Sequence, residues 1–266
     1  MSRWATHAIA AHRATRLARF VARASRRYLD AYGNRDFGTR TNGEEWALAA
    51  LGPHALATVF DVGAHRGEYA RMVLAANPAA RVHCFEADPT RARALSTELA
   101  RDTTVVVNPF GLGSREEAAM LLIDEASGDM SSLVFRADLD RRSVPVEIRT
   151  GDRYCREHGV PGIDLLKVDT EGFDLEVLRG FSEMLREQRV SVVQFEYTIW
   201  NIHSRALLLD FYEMLEPLGY RIGKLRPHGV EFTGYAPVDE DFLGPNCMAV
   251  LECRTDLLDA LRGDYR

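Results

Sequence analysis

From residue 58 onward the chain alternates short runs of β-branched residues with stretches whose apolar residues recur every three or four positions, and few folds accommodate that alternation. β-Branched runs suit a pleated surface, whereas the longer spacing lines one side of a helix with apolar groups. The pattern therefore describes an α/β fold, a mostly parallel sheet with helices on both faces. Strands are expected near residues 58–61, 81–86, 104–108, 163–169, 191–197, 220–225 and 247–252. Helices fit residues 67–77 and 89–100 between the first three, and a further helix over 207–218 is stopped by Gly219. The alternation fails between Gly113 and Asp152. Residues 118–123, 132–135 and 144–148 read there as antiparallel strands, so an inserted β-hairpin is expected over about 114–151, as a lid or rim. Residues 41–266 then form one domain carrying this insertion, and residues 1–40 a separate arm.

The arm differs in charge from everything after it. Residues 1–30 hold seven Arg and one Asp, formal +6, so the other 236 residues must carry −12 for the net charge of −6. Leu17, Phe20, Val21, Ala24, Tyr28 and Tyr32 recur at helical spacing, with Arg16, Arg19, Arg23, Arg26 and Arg27 largely off that stripe. The favoured reading is a helix laid on its own domain or on a second copy of the chain; a membrane-surface helix is the less favoured alternative. An acidic body makes nucleic acid a poor acceptor. The longest stretch without a charge, residues 46–60, is broken by Gly52-Pro53 and is shorter than the ~20 apolar residues a spanning helix needs. Four cysteines without a CxxC pair, and no recognisable secretory leader, are read as a reduced, cytoplasmic setting.

The first strand runs into Asp61-Val62-Gly63-Ala64-His65-Arg66-Gly67 and then at once into a helix. Small residues at such a turn let the backbone approach a ligand, and the helix start offers free N–H groups. Nineteen residues beyond Gly67 the second strand ends in Phe85-Glu86-Ala87-Asp88-Pro89, where an acid can accept both hydroxyls of a ribose. A dinucleotide would require G-x-G-x-x-G to cradle its pyrophosphate, but here Ala64, His65 and Arg66 separate the glycines. Asp61 would also sit badly beside phosphate and suits a cationic amino-acid moiety. The expectation is S-adenosylmethionine (SAM) rather than a nicotinamide dinucleotide.

The segment from Ile163 to Gly180, IDLLKVDTEGFDLEVLRG, resembles the I-D-L-L-K-I-D-V-E-G-x-E-x-x-V-L-x-G signature of the FkbM-type methyltransferases. D-V-G-A-H-x-G at Asp61 resembles the family's D-V-G-A-N-x-G turn, and F-E-A-D-P its second-strand acid. Gln194-Phe195-Glu196-Tyr197, Leu218-Gly219-Tyr220 and Asn246 agree, so the resemblance covers about residues 41–251. It implies a Rossmann-like SAM-dependent fold with a seven-stranded sheet. It also implies methyl transfer to a hydroxyl of a sugar, glycan or polyketide-type product. His65 and Thr170 depart from the family, which more often has Asn and an aliphatic residue there.

On this reading the cofactor meets Asp61, Gly63, Ala64, His65, Gly67, Glu86, Ala87, Phe110, Gly111 and Asp169. Ligands of an open α/β sheet lie beyond the carboxyl ends of its strands, so Asp169 is expected to touch both cofactor and reacting centre. Glu171 or Glu196 is expected as general base, with His203 as the other candidate. Lys167, on the same face of its strand as Asp169, is read as a partner for a nearby carboxylate. Tyr197 and Trp200 are expected to wall the acceptor pocket, and Ser131 and Ser132 to donate hydrogen bonds into it. A divalent metal bridging Asp169 and Glu196 would lower a hydroxyl pKa, but two carboxylates do not define an oxygen site and the metal stays open. The competing readings are an NAD-linked oxidoreductase on the same type of sheet and a non-catalytic SAM-binding module.

Overall fold

The computed structural model describes residues 3–52, 56–124, 130–133 and 142–265. The arm comprises α1 (Arg3–Ala11) and α2 (Arg16–Tyr32), and α3 (Glu44–Leu51) precedes the sheet. β1 (Thr58–Val62), α4 (Glu68–Ala76), β2 (Arg81–Phe85), α5 (Pro89–Glu98) and β3 (Val105–Asn108) follow in the expected alternation. The insertion holds β4 (Gly111–Leu112), β5 (Glu117–Asp124), β6 (Met130–Ser132) and β7 (Arg142–Arg149). Then come α6 (Gly151–Glu157), β8 (Ile163–Val168), α7 (Asp174–Arg179), α8 (Ser182–Arg186) and β9 (Val190–Thr198). The chain continues through α9 (Asn201–Ser204), α10 (Leu208–Leu215), β10 (Tyr220–Arg226), β11 (Gly229–Phe232), β12 (Leu243–Leu251) and α11 (Thr255–Arg262).

The main sheet has the order β11-β10-β12-β9-β8-β1-β2-β3. β9, β8, β1, β2 and β3 run parallel, and β12, β10 and β11 join antiparallel. Eight strands therefore stand where seven were expected. The addition is β11, a Gly-Val-Glu-Phe run too short to show a period, which pairs as a hairpin with β10. From β1 the chain winds outward through β2 and β3, then returns to lay β8 on the other side of β1. That reversal opens a crevice at the carboxyl ends of β1 and β8.

Alternate side chains of each strand enter opposite cores. Phe60, Val62, Phe85, Leu166, Val193 and Phe195 pack under α6, α7, α8 and α10. Val59, Val82, Leu165, Val192 and Val250 pack under α3, α4, α5 and α11. Asp61 and Lys167 fall on the second face, in register with each other, and Gln194 is in register with Lys167. A row of polar groups thus interrupts an otherwise apolar layer.

The insertion is more than a hairpin. β5 pairs antiparallel with β7, as expected, but β6 and the short β4 complete a second, four-stranded sheet over Leu121, Val146 and Ile148. Of the strand expected over 132–135, Ser132 belongs to β6, and residues 134–135 lie outside the described residues.

The arm helix forms as its spacing requires, with Thr15 accepting a hydrogen bond from the Ala18 N–H. It does not lie on its own domain. No residue of α2 is buried, and Leu17, Phe20, Tyr28 and Tyr32 are largely exposed. The Arg226 guanidinium reaches the carbonyl of Tyr32, and Asn34 donates to the carbonyls of Asn42 and Leu225, so the body holds the root of the arm.

Candidate functional site

Gly63 turns the chain at the end of β1 with a φ of 86°, and a Cβ there would meet the Asp169 carbonyl oxygen at 1.9 Å. Only glycine lets the two chain ends come this close. The N–H groups of Gly63 and Ala64 both donate to the Phe85 carbonyl at 3.0 Å, which ties the turn to β2. His65 follows with a φ of 48°. Asn and His are among the non-glycine residues that accept that left-handed conformation, which accounts for an exchange between them at this position. The His65 N–H donates to Glu86 at 2.8 Å and the Asp88 N–H donates to the other Glu86 oxygen at 2.9 Å. Glu86 is thereby held at the end of β2; burial raises its pKa and the two backbone donors oppose the rise.

A cavity of about 420 Å³ opens beside this turn, within the range of small-molecule sites. Gly63, Ala64, His65, Glu86, Ala87 and Gly111 line it on the cofactor side of the expected arrangement. Lys167, Asp169, Thr170 and Glu171 line it from β8 and the loop that follows. The insertion contributes Leu121, Ser131, Ser132 and Leu133, and Thr39, Glu44 and Tyr69 are also in the wall. Both serines have protein partners: Arg91 donates to the Ser131 hydroxyl at 2.9 Å, and Ser132 donates to the Glu171 carbonyl at 3.0 Å. The insertion is thus fastened across the cavity from α5 to the loop after β8.

Asp61, expected to face the cofactor, is fully buried and outside the cavity lining. Its cation is supplied by the chain itself: Lys167 Nζ lies 3.6 Å from Asp61 Oδ1 and 3.1 Å from Asp169 Oδ2. The ammonium also stands over the Tyr69 ring, 4.9 Å from its centroid. Gln194 accepts from the Tyr69 hydroxyl at 2.8 Å and donates to Glu44 at 2.6 Å, while Asn42 donates to Glu44 at 3.1 Å. Burial alone would push the Lys167 pKa down, but Asp169, Asp61 and Glu44 around it hold it well above the usual lysine value. One cation among three carboxylates leaves surplus negative charge. Burial, reinforced by Asp169, accordingly raises the pKa values of Asp61 and Glu44 against the pull of Lys167.

Beyond the cavity, Asp174 is fully buried and accepts from the Thr170 hydroxyl at 3.0 Å and from the Glu196 N–H at 3.2 Å. The departure at Thr170 therefore supplies a hydrogen bond that an aliphatic residue could not. Burial, reinforced by Asp169, lifts the Asp174 pKa to about 7. Burial and then Asp169, Glu171 and Asp174 raise that of Glu196 well above the usual glutamate value. Glu196 does not line the cavity.

His203, Tyr197, Trp200, Gly67 and Phe110 are also absent from the lining. His203 is exposed on α9 and stacks on Trp200, their ring centroids 6.3 Å apart. Tyr197 is buried, hydrogen-bonded through its hydroxyl to Glu240 and stacked 5.1 Å from Phe242, so it packs the core rather than an acceptor pocket. Gly67 begins α4 with a φ of 71° against Leu95. Phe110 packs on Phe85, with the Arg149 guanidinium 4.2 Å above its ring. Sequence reasoning missed Thr39, Glu44, Tyr69 and Gln194. They are distant in the chain, and no local signal marks them except the single polar Gln194 inside a buried strand. Among the described residues no group of three or more His, Cys, Asp or Glu is arranged to hold a metal ion, and no helix is long and apolar enough to cross a membrane.

Comparison with known proteins adds three findings. The family model described as "Methyltransferase FkbM domain" matches residues 61–222. The 2-O-methyltransferase NoeI of Sinorhizobium fredii is 24% identical over 187 residues, covering 65% of this chain and 76% of that protein. Among solved structures, a methyltransferase FkbM from Methylobacillus flagellatus superposes with a TM-score of 0.48 at 17% identity, over 73% of this chain and 43% of that one. The chain thus spans less than half of that solved chain.

Two outcomes test the electrostatics. Lys167→Met strands a buried carboxylate and is expected to lower stability by about 3–5 kcal/mol in urea unfolding. Asp61→Asn in the Lys167→Met background should recover part of that loss, and strictly additive effects would count against the pair. Between its ordinary value near 3.8 and about 7, Asp174 binds a proton more tightly in the folded chain than in the unfolded one. Its contribution is therefore present at the acid end of this window and lost as pH rises through it. Thermal unfolding of Asp174→Asn should show a shallower decline than the parent between about pH 4 and 7.

Proposed function

The chain belongs to the FkbM methyltransferase family, and from that premise we propose that it transfers a methyl group from SAM to a hydroxyl oxygen of a sugar, glycan or polyketide-type acceptor. The observation that carries this reading is one cavity bounded by Glu86 and the glycine turn on one side and by Asp169 and Glu171 on the other. Glu86 fits a ribose: two backbone donors fix its carboxylate at the edge of the cavity, and each oxygen retains acceptor capacity for a hydroxyl. Gly63 and Ala64 keep this part of the turn free of large side chains, and Ala87 and Gly111 continue the small lining. Asp61 lies behind the cavity lining, paired with Lys167, and in this reading acts through that ammonium. SAM, when bound, supplies a methyl carbon already attached to a cationic sulfur leaving group.

The chain has the remaining work of alignment and proton removal. Asp169, half-buried and paired with Lys167, offers negative charge where a sulfonium would be attracted. Lys167 is itself pinned by Asp61 and Tyr69, so the position of the Asp169 carboxylate is set from beneath. Glu171 takes the role of general base in this scheme, since it lines the cavity whereas Glu196 and His203 do not. A carboxylate is a weak base toward an alcohol, but positioning offsets much of that weakness when proton and methyl move together. Ser132 fixes the carbonyl of Glu171, and the left-handed backbone there, φ 54°, aims the residue differently from a helical one. Oxygen as the accepting atom draws support from the 2-O-methyltransferase among the relatives.

Calorimetry with SAM and with its demethylated product should give binding heat, weakened about tenfold to a hundredfold in Glu86→Gln. Methyl-labelled SAM incubated with cell extract should then yield a labelled hydroxylated compound by mass spectrometry. With that acceptor, Glu171→Gln should lower kcat by about a hundredfold or more while leaving SAM affinity near the parent value. Tight binding of a nicotinamide dinucleotide with no heat from SAM would overturn the assignment. Cofactor binding without turnover across the whole extract would favour a binding module instead.

A further inference from the structure

Among the described residues, the N-terminal arm is a large feature that the methyltransfer reading leaves unused. α2 runs for 17 residues, about 25 Å, without a buried residue. Leu17, Phe20, Val21, Tyr28, Leu29 and Tyr32 are between 52% and 72% exposed. At 100° per residue the arc from Phe20 round to Leu29 covers about half the circumference of the helix. A two-helix seam covers a narrow stripe, so an arc of this width calls for a broad apolar surface. Arg16, Arg19, Arg23, Arg26 and Arg27 occupy the remaining arc, with Asp30 among them. Arg16 and Arg27 fall next to Phe20, where their apolar stems can lie along the same layer while the guanidinium groups stay at the polar boundary.

We propose that this arm seats the protein on an anionic phospholipid bilayer, with α2 lying in the headgroup plane. The choice of occupant rests on charge as well as shape. The arm carries formal +6 while the rest of the chain carries −12, so only the arm is attracted to such a surface. Two arms brought face to face would add positive charge to positive charge, whereas a bilayer offers anionic headgroups above an apolar layer. The arm is also anchored where it leaves the body. Asn34, buried and with a φ of 57°, donates to the carbonyls of Asn42 and Leu225, and Arg226 holds the last carbonyl of α2. Five residues after Asn34, Thr39 lines the cavity. Seating α2 on a membrane therefore brings the cavity mouth near that surface, where acceptors carried on lipid would be within reach.

The test uses the full chain in flotation with two vesicle preparations, phosphatidylcholine alone and an equal mixture with phosphatidylglycerol. Binding is expected to the mixed vesicles, to fall with added salt, and to weaken by about tenfold or more in Phe20→Glu/Tyr28→Glu and in Arg19→Gln/Arg23→Gln/Arg27→Gln. SAM calorimetry on the same variants, whose changes are all exposed and outside the cavity lining, should match the parent and exclude a folding defect. Equal binding to both vesicle types, no binding to either, or unchanged binding in the variants would overturn the proposal. So would a dimer in sedimentation equilibrium that Phe20→Glu/Tyr28→Glu dissociates in the absence of lipid, since a second copy would then cover the face.

Discussion

The ammonium of Lys167, buried between Asp61 and Asp169, is the interaction on which the rest of the site depends. Both carboxylates come from strand ends that meet at the crevice, one from β1 and one just past β8. A lone ammonium in that position would be costly to bury, and so would either acid. Together they hold the two strands in one geometry at the point where the sheet changes direction. Tyr69, Gln194, Glu44 and Asn42 extend the arrangement into α4, β9 and the segment before β1. Within this polar row Tyr69, Gln194 and Glu44 find hydrogen-bond partners in the chain, whereas the two Asp61 oxygens accept no hydrogen bond and rely on the Lys167 ammonium 3.6 Å away. The same row ends at the cavity wall, so structural and chemical roles share their atoms.

The cavity depends on this clamp from one side and on backbone hydrogen bonds from the other. The turn at Gly63 is pressed against the Asp169 carbonyl and tied to Phe85, while Glu86 is gripped by two backbone N–H groups. The small sheet closes the third side through β6, where Ser131 accepts from Arg91 and Ser132 donates to the Glu171 carbonyl. Leu121, Leu133 and the two serines bring the insertion into the cavity lining beside residues of the main sheet.

Glu196 and Tyr197 show how far a motif carries a functional reading. Both lie at the end of a strand beside β8, where ligand contacts are common in this architecture. Yet burial, and then Asp169, Glu171 and Asp174, raise the proton affinity of Glu196, and Tyr197 is drawn into the core by Glu240, Phe211 and Phe242. The partners responsible come from the loop after β8, α7, α10 and the loop before β12, none of them adjacent in sequence. Thr170 shows the reverse: a small departure from the family pattern acquires a definite partner in Asp174.

Periodicity and turn chemistry determined, from the amino-acid order alone, the alternation of strand and helix, the glycine turn, the acid at the end of β2, the common face of Lys167 and Asp169, and the helical arm. These are local properties, set within a few residues by backbone sterics and side-chain alternation. Tertiary structure decided that Lys167 stands beside Asp61, and that His203 and Trp200 do not line the cavity. It decided too that β11 adds an eighth strand, that the insertion is a sheet, and that α2 keeps its apolar face exposed. Each of these outcomes depends on strand register and on packing between segments far apart in the chain, and no local pattern encodes which distant group will arrive first.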